Sequence, residues 1–179
     1  PTVSYEWTDS TGAVLGSSAT FVLDSAVVSG GDTVTCTATA VDNYARQAVD
    51  SNGYTVGNTA PSVQSLSTSS TTATTADTVT CAGTGIDPDG DPLTEDYSWI
   101  NNSSGLALGT TGTLVLTPLT VTPGDTVSCT YEISDGTQSD SDTALVTILN
   151  TAPAVDQVVL TPSQPVMGDV VTCTPTITD

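Results

Sequence analysis

The chain has almost no basic side chains: it contains neither histidine nor lysine, and Arg46 is the one basic residue against 20 acidic ones. Its formal net charge is −19. Phosphate contacts need lysine or arginine, and anionic membranes repel an acidic chain, so we expect no nucleic-acid partner. Serine and threonine are plentiful, but without histidine or lysine no base can activate them as nucleophiles. The few glutamates lack a pocket-forming context, so the sequence predicts that this chain is not an enzyme.

Long hydrophobic runs are also absent, and no stretch approaches the roughly 20 apolar residues that a transmembrane helix requires. We therefore expect no direct membrane insertion in this segment. Hydrophobic residues make up 37 % of the chain and aromatic residues only 4 %, which predicts small cores. Carbohydrate recognition usually uses exposed aromatic rings, and Tyr44, in a predicted loop beside Arg46, is the best exposed candidate.

What the sequence does contain is an internal repeat. Residues 31–36 (GDTVTC) recur as residues 124–129 (GDTVSC), and residues 58–61 (NTAP) recur as residues 150–153. The copies stand 92 or 93 residues apart in the numbering, which predicts a tandem array of one small domain.

The repeat divides the chain into three parts. We expect residues 1–57 to be the C-terminal part of one repeat, 58–149 a complete repeat and 150–179 the N-terminal part of the next. The two ends are nearly complementary, and two interpretations stay open. The chain is either one stretch of a longer array, or a subunit whose end completes the start of the next subunit in a filament.

The hydrophobic pattern indicates β-strands throughout. In residues 126–133, Val127, Cys129, Tyr131 and Ile133 alternate with polar side chains, which is typical of a strand with one buried face. Threonine and valine dominate such runs, and Asp-Gly, Asn-Gly and Pro-Gly turns separate them. Short strands with frequent turns predict an all-β fold of antiparallel β-sandwiches.

Four cysteines allow three pairings, and the repeat chooses among them. Cys81 and Cys129 lie in the same repeat, so we predict a disulfide between them. Cys36 corresponds to Cys129 and Cys173 to Cys81, so each of these two should find its partner outside the chain. The alternative is a pair of reduced, buried thiols. Zinc is disfavoured because no Cys-x-x-Cys motif or histidine is present.

Two bridged cysteines with Trp99 between them resemble the immunoglobulin (Ig) fold. The resemblance implies tandem Ig-like sandwiches in which the Cys81–Cys129 bridge joins the two sheets and Trp99 packs against it. Repeated cysteines in an acidic, threonine-rich array fit an oxidising compartment. We therefore expect a secreted or cell-surface protein.

An acidic run, Asp87-Pro-Asp89-Gly-Asp91, places three carboxylates on one short turn. Alternate aspartates can direct oxygen atoms into a single hard-cation site, which suits Ca²⁺. The run resembles the Asp-Pro-Asp-Gly-Asp loop of cadherin-like and PKD-like repeats in large prokaryotic extracellular surface proteins. We predict Ca²⁺ binding at Asp87, Asp89 and Asp91, with Asp135 as an additional ligand; a solvated turn without metal is the alternative. No other cofactor is expected.

In cadherins, to which the resemblance extends, calcium lies at the junction between repeats. The linkers of this chain carry Asn58 and Asn150 without a flanking acid cluster, which argues against calcium at these junctions.

Glycans are the second candidate modification. Two overlapping N-glycosylation sequons begin at Asn101 and Asn102. A stretch of serine, threonine and alanine between residues 65 and 78 could carry O-glycans, or simply form a polar edge. The O-glycosylation candidates are Thr71, Thr72, Thr74 and Thr75.

The function that these features predict is structural. We expect a repeat module of an extracellular stalk, fibre or filament, a cell-surface scaffold or adhesin rod whose partners are neighbouring copies or repeats of itself. The alternative is a carbohydrate- or protein-binding adhesion module of a larger secreted protein.

Overall fold

The computed structural model describes residues 1–179 and contains fourteen β-strands and no helix. In chain order they are β1 (Thr2–Thr8), β2 (Val14–Gly16), β3 (Thr33–Val41), β4 (Gln47–Thr55), β5 (Ser62–Thr68), β6 (Thr72–Ala73), β7 (Thr78–Ile86), β8 (Thr94–Asn101), β9 (Leu106–Gly109), β10 (Thr113–Val115), β11 (Thr126–Ser134), β12 (Ser139–Ile148), β13 (Ala154–Thr161) and β14 (Thr172–Thr178). None of its segments forms a helix with the length and hydropathy needed to cross a membrane.

The strands form separate sheets along the chain. The first unit (residues 1–57) has one sheet in the order β2-β1-β3-β4. The central unit (residues 58–149) has two, β10-β7-β5 and β6-β12-β11-β8-β9, and the third segment (residues 150–179) is the pair β13-β14. Pairing is antiparallel except for the short β6, which runs parallel to β12. The predicted all-β, antiparallel sandwich is confirmed.

A disulfide joins the two sheets of the central unit. Cys81 on β7 and Cys129 on β11 are bonded, with their Cα atoms 6.5 Å apart. Cys129 stands opposite Trp99 of β8, whose indole is almost completely buried and donates a hydrogen bond to the carbonyl of Thr111 at 2.8 Å. The predicted bridge and the packing of Trp99 beside it are confirmed. Cys36 and Cys173 are unpaired in this chain.

The core of the central unit follows the alternation read from the sequence. On β11, Val127, Cys129, Tyr131 and Ile133 are all at most 1 % exposed. Burial of such apolar side chains stabilises the sandwich by about 1.5–3 kcal/mol each. Ser128, which points to the other face, is also buried, and its hydroxyl is satisfied by donating to the side-chain oxygen of Asn102.

Two glycines on β7 make room for the largest side chains of that core. A Cβ atom on Gly83 would stand 2.2 Å from Cδ1 of Tyr131, and one on Gly85 would stand 2.3 Å from Cδ1 of Ile133. Neither distance is compatible with a methyl group. The two sheets therefore approach closely only because these positions of β7 carry no side chain.

The first unit has a much thinner core. Its buried apolar residues are Val28, Val34 and Val56, against which the half-buried rings of Trp7 and Phe21 pack. The two rings are stacked with their centroids 5.7 Å apart. A single sheet can cover these side chains on one side only, so much of its apolar face remains open.

Candidate metal centre at the first linker

The predicted calcium loop connects β7 to β8 and is organised by its first aspartate. Oδ1 of Asp87 accepts hydrogen bonds from the backbone N–H groups of Asp89, at 2.8 Å, and of Asp91, at 3.2 Å. Gly90 takes a positive φ of 80°, which a side chain would disfavour. The turn brings one carboxylate oxygen from each of the three aspartates to within 4.8 Å of the others.

The electrostatics of this cluster suit a cation. Oδ2 of Asp87 is buried and has no hydrogen-bond partner. Burial raises the pKa of Asp91 above its ordinary value, and the neighbouring charges of Asp87, Asp89 and Asp135 raise it further. Ca²⁺ binds oxygen at 2.3–2.6 Å, so two ligands of one ion lie at most about 5 Å apart. The three carboxylates fit that limit.

Asp135, the additional ligand expected from the sequence, lies in the turn between β11 and β12. Its Oδ1 accepts the backbone N–H groups of Thr137 and Gln138, and its Oδ2 accepts the amide of Asn58 at 2.9 Å. The Asn58 amide, helped by the Gln138 backbone, holds the pKa of this carboxyl far below its usual range. The charge of Asp135 thus reaches Asp91, while its Oδ1 is bonded within its own turn and its Oδ2 is bonded to the linker.

The acidic loop folds against the first linker (residues 57–61), whose own sequence carries no acidic residue. The backbone N–H of Thr59 donates to Oδ2 of Asp89, and its hydroxyl donates to Oδ1 at 3.2 Å. The first unit contributes Gly30, where an added Cβ would be 3.0 Å from Cα of Asn58 and 3.3 Å from Oδ2 of Asp89. The linker sequence has no flanking acid cluster, but the fold brings the carboxylate of Asp89 to this junction from 30 residues away.

Comparison with known proteins identifies the family. The sequence profile described as "Bacterial Ig domain" matches residues 58–149, which are the central unit. The chain belongs to the bacterial Ig domain family. Among solved structures, it is similar to the three N-terminal domains of the Highly Immunogenic Outer Capsid protein of bacteriophage RB49, with 14 % identity and a TM-score of 0.39. That match covers 99 % of this chain and 58 % of the capsid-protein chain. No curated protein matches the chain.

The two predicted N-glycosylation sites fall at the opposite end of this bacterial Ig domain. Asn101 is 1 % exposed, and its amide donates to the carbonyl of Thr120 at 3.1 Å and to Asp125 at 2.8 Å. Its Oδ1 accepts the N–H of Ser103 at 3.0 Å. A glycan on this nitrogen would require its removal from the fold, so the prediction for Asn101 is corrected. Asn102 is exposed, and its glycosylation stays a prediction.

The predicted O-glycosylation sites lie on and around β6, the short strand at the edge of the larger sheet. Thr71 and Thr72 are exposed, whereas Thr74 and Thr75 are half-buried. The backbone N–H of Thr74 donates to Asp77 at 2.7 Å, which fixes the local turn. All four hydroxyl groups stay predicted sites of modification.

Tyr44 and Arg46 lie together at the turn between β3 and β4 of the first unit. The ring of Tyr44 is 83 % exposed, with the Arg46 guanidinium 5.8 Å from its centroid. Arg46 also forms an ion pair with Asp42 at 2.9 Å. In the central unit Asp135 occupies the place of Asp42, but it binds Asn58 of the linker instead.

Proposed function

We propose that this chain is a structural module of a secreted or cell-surface stalk, fibre or filament, and that it works as a stiff scaffold or adhesin rod. The observation that carries the proposal is the contact between the acidic loop and the linker. Family membership supports a modular role, because Ig-like sandwiches are commonly strung in series. Each unit then has to resist extension, and each linker has to resist bending.

Resistance to extension comes from the disulfide. Cys81 and Cys129 are 48 residues apart in the chain, and their bond joins strands of opposite sheets. A pull on the ends of the central unit cannot lengthen the residues enclosed by that bond. Only the segments outside the closed loop can extend before covalent bonds bear the force.

Resistance to bending comes from the first linker. Pro61 is buried, its ring fixes its own φ and it restricts the conformation of Ala60 before it. Asn58 is bonded through its amide to Asp135 and Gln138, both at 2.9 Å, and Thr59 is bonded to Asp89. These hydrogen bonds hold the linker against the central unit, so a bend within residues 58–61 would break them.

Calcium would strengthen the same contact. We assign Asp87, Asp89 and Asp91 as Ca²⁺ ligands, a hard-cation set of carboxylate oxygens. Asp89 takes part in the cluster and in the bond to Thr59. An ion that fixes the Asp89 side chain therefore also fixes the linker, so calcium should set the stiffness of the rod.

The surface completes the proposed role. A net charge of −19 keeps such a chain soluble and repels random association with other acidic molecules. Copies of the same module carry this charge too, so their proposed association has to come from specific contacts, and Asn102 and the edge threonines are the places where glycans would extend the polar coat.

The test compares the full chain with Asp91→Asn, and uses Asp96→Asn as the matched control. Asp96 is exposed on β8 and lies outside the cluster, so its replacement removes the same charge without touching the loop. We expect Ca²⁺ to bind the parent chain and the control with equal affinity. The Asp91→Asn chain should bind at least about ten-fold more weakly, the loss typical of even an outer-shell partner.

Stiffness is measured on the same three proteins by small-angle X-ray scattering with and without Ca²⁺. Calcium should narrow the distribution of overall dimensions in the parent and control chains but not in Asp91→Asn. Equal binding by all three proteins would contradict the assigned site. Binding without any change in the scattering would contradict the role of the linker in stiffness.

The adhesion alternative rests on the exposed ring of Tyr44 beside Arg46. Specific retention of the chain on a glycan array, abolished by Tyr44→Ala, would favour that function over a passive scaffold.

A further inference from the structure

The first linker contains a single residue that is held by neither unit. The backbone N–H of Gly31 donates to the carbonyl of Val56 at 2.8 Å, so the first unit extends as far as Val56. The central unit begins at Asn58, whose side chain is bonded to Asp135. Gly57, between them, makes no hydrogen bond to the rest of the chain, and a Cβ atom there would meet nothing within 4 Å. Gly57 is therefore the hinge about which the two units could rotate against each other.

One turn of the first unit, residues 24–31, faces the central unit across this hinge. In this first-unit turn, the carbonyl of Asp24 accepts the backbone N–H of Val28 at 2.9 Å. The backbone N–H of Ser29 donates to the carboxylate of Asp32 at 2.8 Å, and Val28 is buried in the core of the first unit. The first-unit turn is therefore fixed to its own unit and moves with it as one body.

The acidic loop of the central unit lies against that turn. Gly30 is the centre of the contact, because an added Cβ atom would stand 3.0 Å from Cα of Asn58 and 3.3 Å from Oδ2 of Asp89. At the edge, a Cβ atom on Gly90 would stand 3.9 Å from Cβ of Ser25. Gly30 and Asp89 are half-buried, whereas Ser25 and Gly90 are exposed. The contact therefore has a partly dry centre and a solvated rim, as interfaces between proteins do.

Space, rather than backbone conformation, requires glycine at position 30. Its φ lies outside the left-handed region, so the backbone itself would accept another residue. Ordinary contacts between carbon atoms lie at about 3.5–4.0 Å, and the atom that a Cβ on Gly30 would meet at 3.0 Å belongs to the backbone of Asn58. A backbone atom cannot rotate away as a side chain can. A side chain at position 30 would therefore push the first-unit turn away from the linker and the acidic loop.

We propose that the first-unit turn is a docking surface for the acidic loop of the central unit, and that this contact prevents rotation at Gly57. Asp89 connects the parts, because it belongs to the carboxylate cluster, accepts hydrogen bonds from Thr59 and lies against Gly30. The hydrogen bonds of the linker hold it to the central unit alone, so the docking contact is what sets the angle between the two units. The inference rests on the proposed scaffold role and names the partner of its acidic loop.

An engineered disulfide between the two surfaces tests the docked geometry. The Cβ atoms of a disulfide lie about 3.5–4.5 Å apart, and positions 25 and 90 meet that requirement at 3.9 Å. The full chain carries Ser25→Cys and Gly90→Cys, together with Cys36→Ala and Cys173→Ala to remove the free thiols. We expect oxidised glutathione to form the bond between positions 25 and 90 within one chain, identified by mass spectrometry of the linked peptides.

Gly136 provides the matched control for that pair. It lies in the β11–β12 turn, which contacts the same linker, and its positive φ of 92° resembles the 80° of Gly90. A Cβ atom on Gly136 would meet nothing within 4 Å, so Ser25→Cys with Gly136→Cys has the same backbone cost without the contact. The pair at 25 and 90 should form its bond at least about ten-fold faster, because docking raises the effective concentration of its thiols. Equal rates for the two pairs would overturn the proposed docking, because they would indicate units that rotate freely.

A side chain at position 30 tests the same contact at its centre. Gly30→Val is added to the chain that carries the pair at 25 and 90, and Gly57→Val is its control, because the space around the hinge is open. Overpacking by Gly30→Val should slow formation of the bond by roughly ten-fold, and Gly57→Val should leave the rate unchanged. An unchanged rate in Gly30→Val would overturn the assignment of Gly30 as the centre of the contact. Equal slowing by both variants would overturn it as well, because added bulk alone would then account for the effect.

Failure of this inference is distinguishable from failure of the scaffold role. A chain that Ca²⁺ stiffens in the scattering experiment, but in which the pair at 25 and 90 reacts no faster than the control pair, would overturn the docking alone. A chain that forms this bond rapidly and does not respond to Ca²⁺ would support the docking contact and contradict the role of calcium in stiffness.

Discussion

Replacement of Gly83 by alanine is the sharpest test of how the two sheets of the central unit fit together. The new Cβ would stand 2.2, 2.4 and 2.6 Å from three carbon atoms of the Tyr131 ring. Ordinary contacts are longer by more than 1 Å, so either the ring or β7 has to move. The ring cannot yield easily, because Tyr131 is 0 % exposed and packs against Tyr97 with a centroid distance of 5.0 Å.

The expected loss follows from opposing effects. Alanine in place of glycine within a strand ordinarily gains about 0.5–1 kcal/mol through backbone entropy. Overpacking costs about 1–3 kcal/mol, and a clash with a fixed ring belongs at the upper end. The net loss for Gly83→Ala should be about 2 kcal/mol. Gly109→Ala is the matched control, because its Cβ would meet Leu114 at an ordinary 3.6 Å, and it should be neutral or slightly stabilising.

The assay is urea unfolding followed by the fluorescence of Trp99, with Trp7→Phe in every variant so that the central unit alone is observed. Tyr131→Ala as a second change removes the obstacle, so Gly83→Ala should cost nothing in that background. Equal midpoints for Gly83→Ala and Gly109→Ala, or an unchanged cost in the Tyr131→Ala background, would refute the close approach of the sheets.

Two further predictions concern the disulfide and acid stability. Replacement of Cys81 and Cys129 together by alanine should lower the free energy of unfolding by about 4 kcal/mol, the chain-entropy value for a loop of this length, and a reductant should give a similar shift in the urea midpoint. The pKa values of Asp135 and Asp125 are lowered in the fold, because Asp135 accepts the Asn58 amide and Asp125 accepts the backbone N–H of Thr122. These two carboxylates therefore stabilise the fold above the unfolded pKa of about 3.9, and that stabilisation is lost as pH falls below it. The urea midpoint should therefore begin to fall near pH 5 and keep falling as pH drops towards the lowered pKa values of the fold, and Asn58→Ala should flatten that dependence; a profile unaffected by Asn58→Ala would contradict the assigned cause.

The sequence predicted those features that depend on periodicity and on the repeat. Alternation along β11 gave the buried face that includes Cys129 and Tyr131, and the equivalence of Cys36 with Cys129 selected the correct disulfide. The first inference needs only local pattern, since a strand exposes alternate residues to opposite sides, and the second needs only the alignment of the repeats. The convergence of the carboxylate oxygens of Asp87, Asp89 and Asp91 also depends only on residues that are close together in the sequence.

Features that depend on contacts across the fold were not predictable in that way. The sequon at Asn101 is a three-residue pattern, and it carries no information about the carbonyl of Thr120 or the carboxylate of Asp125 that bury the amide. The association of the acidic loop with Thr59 arises because the β7–β8 loop and the linker reach the same end of the sandwich. The contact of Gly83 with Tyr131 depends on the register of two sheets whose strands are not paired with each other.

The two linkers carry the same four residues, but the residue of the preceding unit that faces the linker asparagine differs between them. At the first linker the preceding unit presents Gly30, whose missing side chain allows Asn58 to approach within contact distance. Pro123 takes the place of Gly30 at the second linker. There Pro123 and Asn150 line a gap of about 200 Å³ that also reaches Asp179, the counterpart of Asp87. A Cβ atom at Gly30 would already stand 3.0 Å from Cα of Asn58, so we expect a proline at this position to keep Asn150 further from its preceding unit than Asn58 is from Gly30.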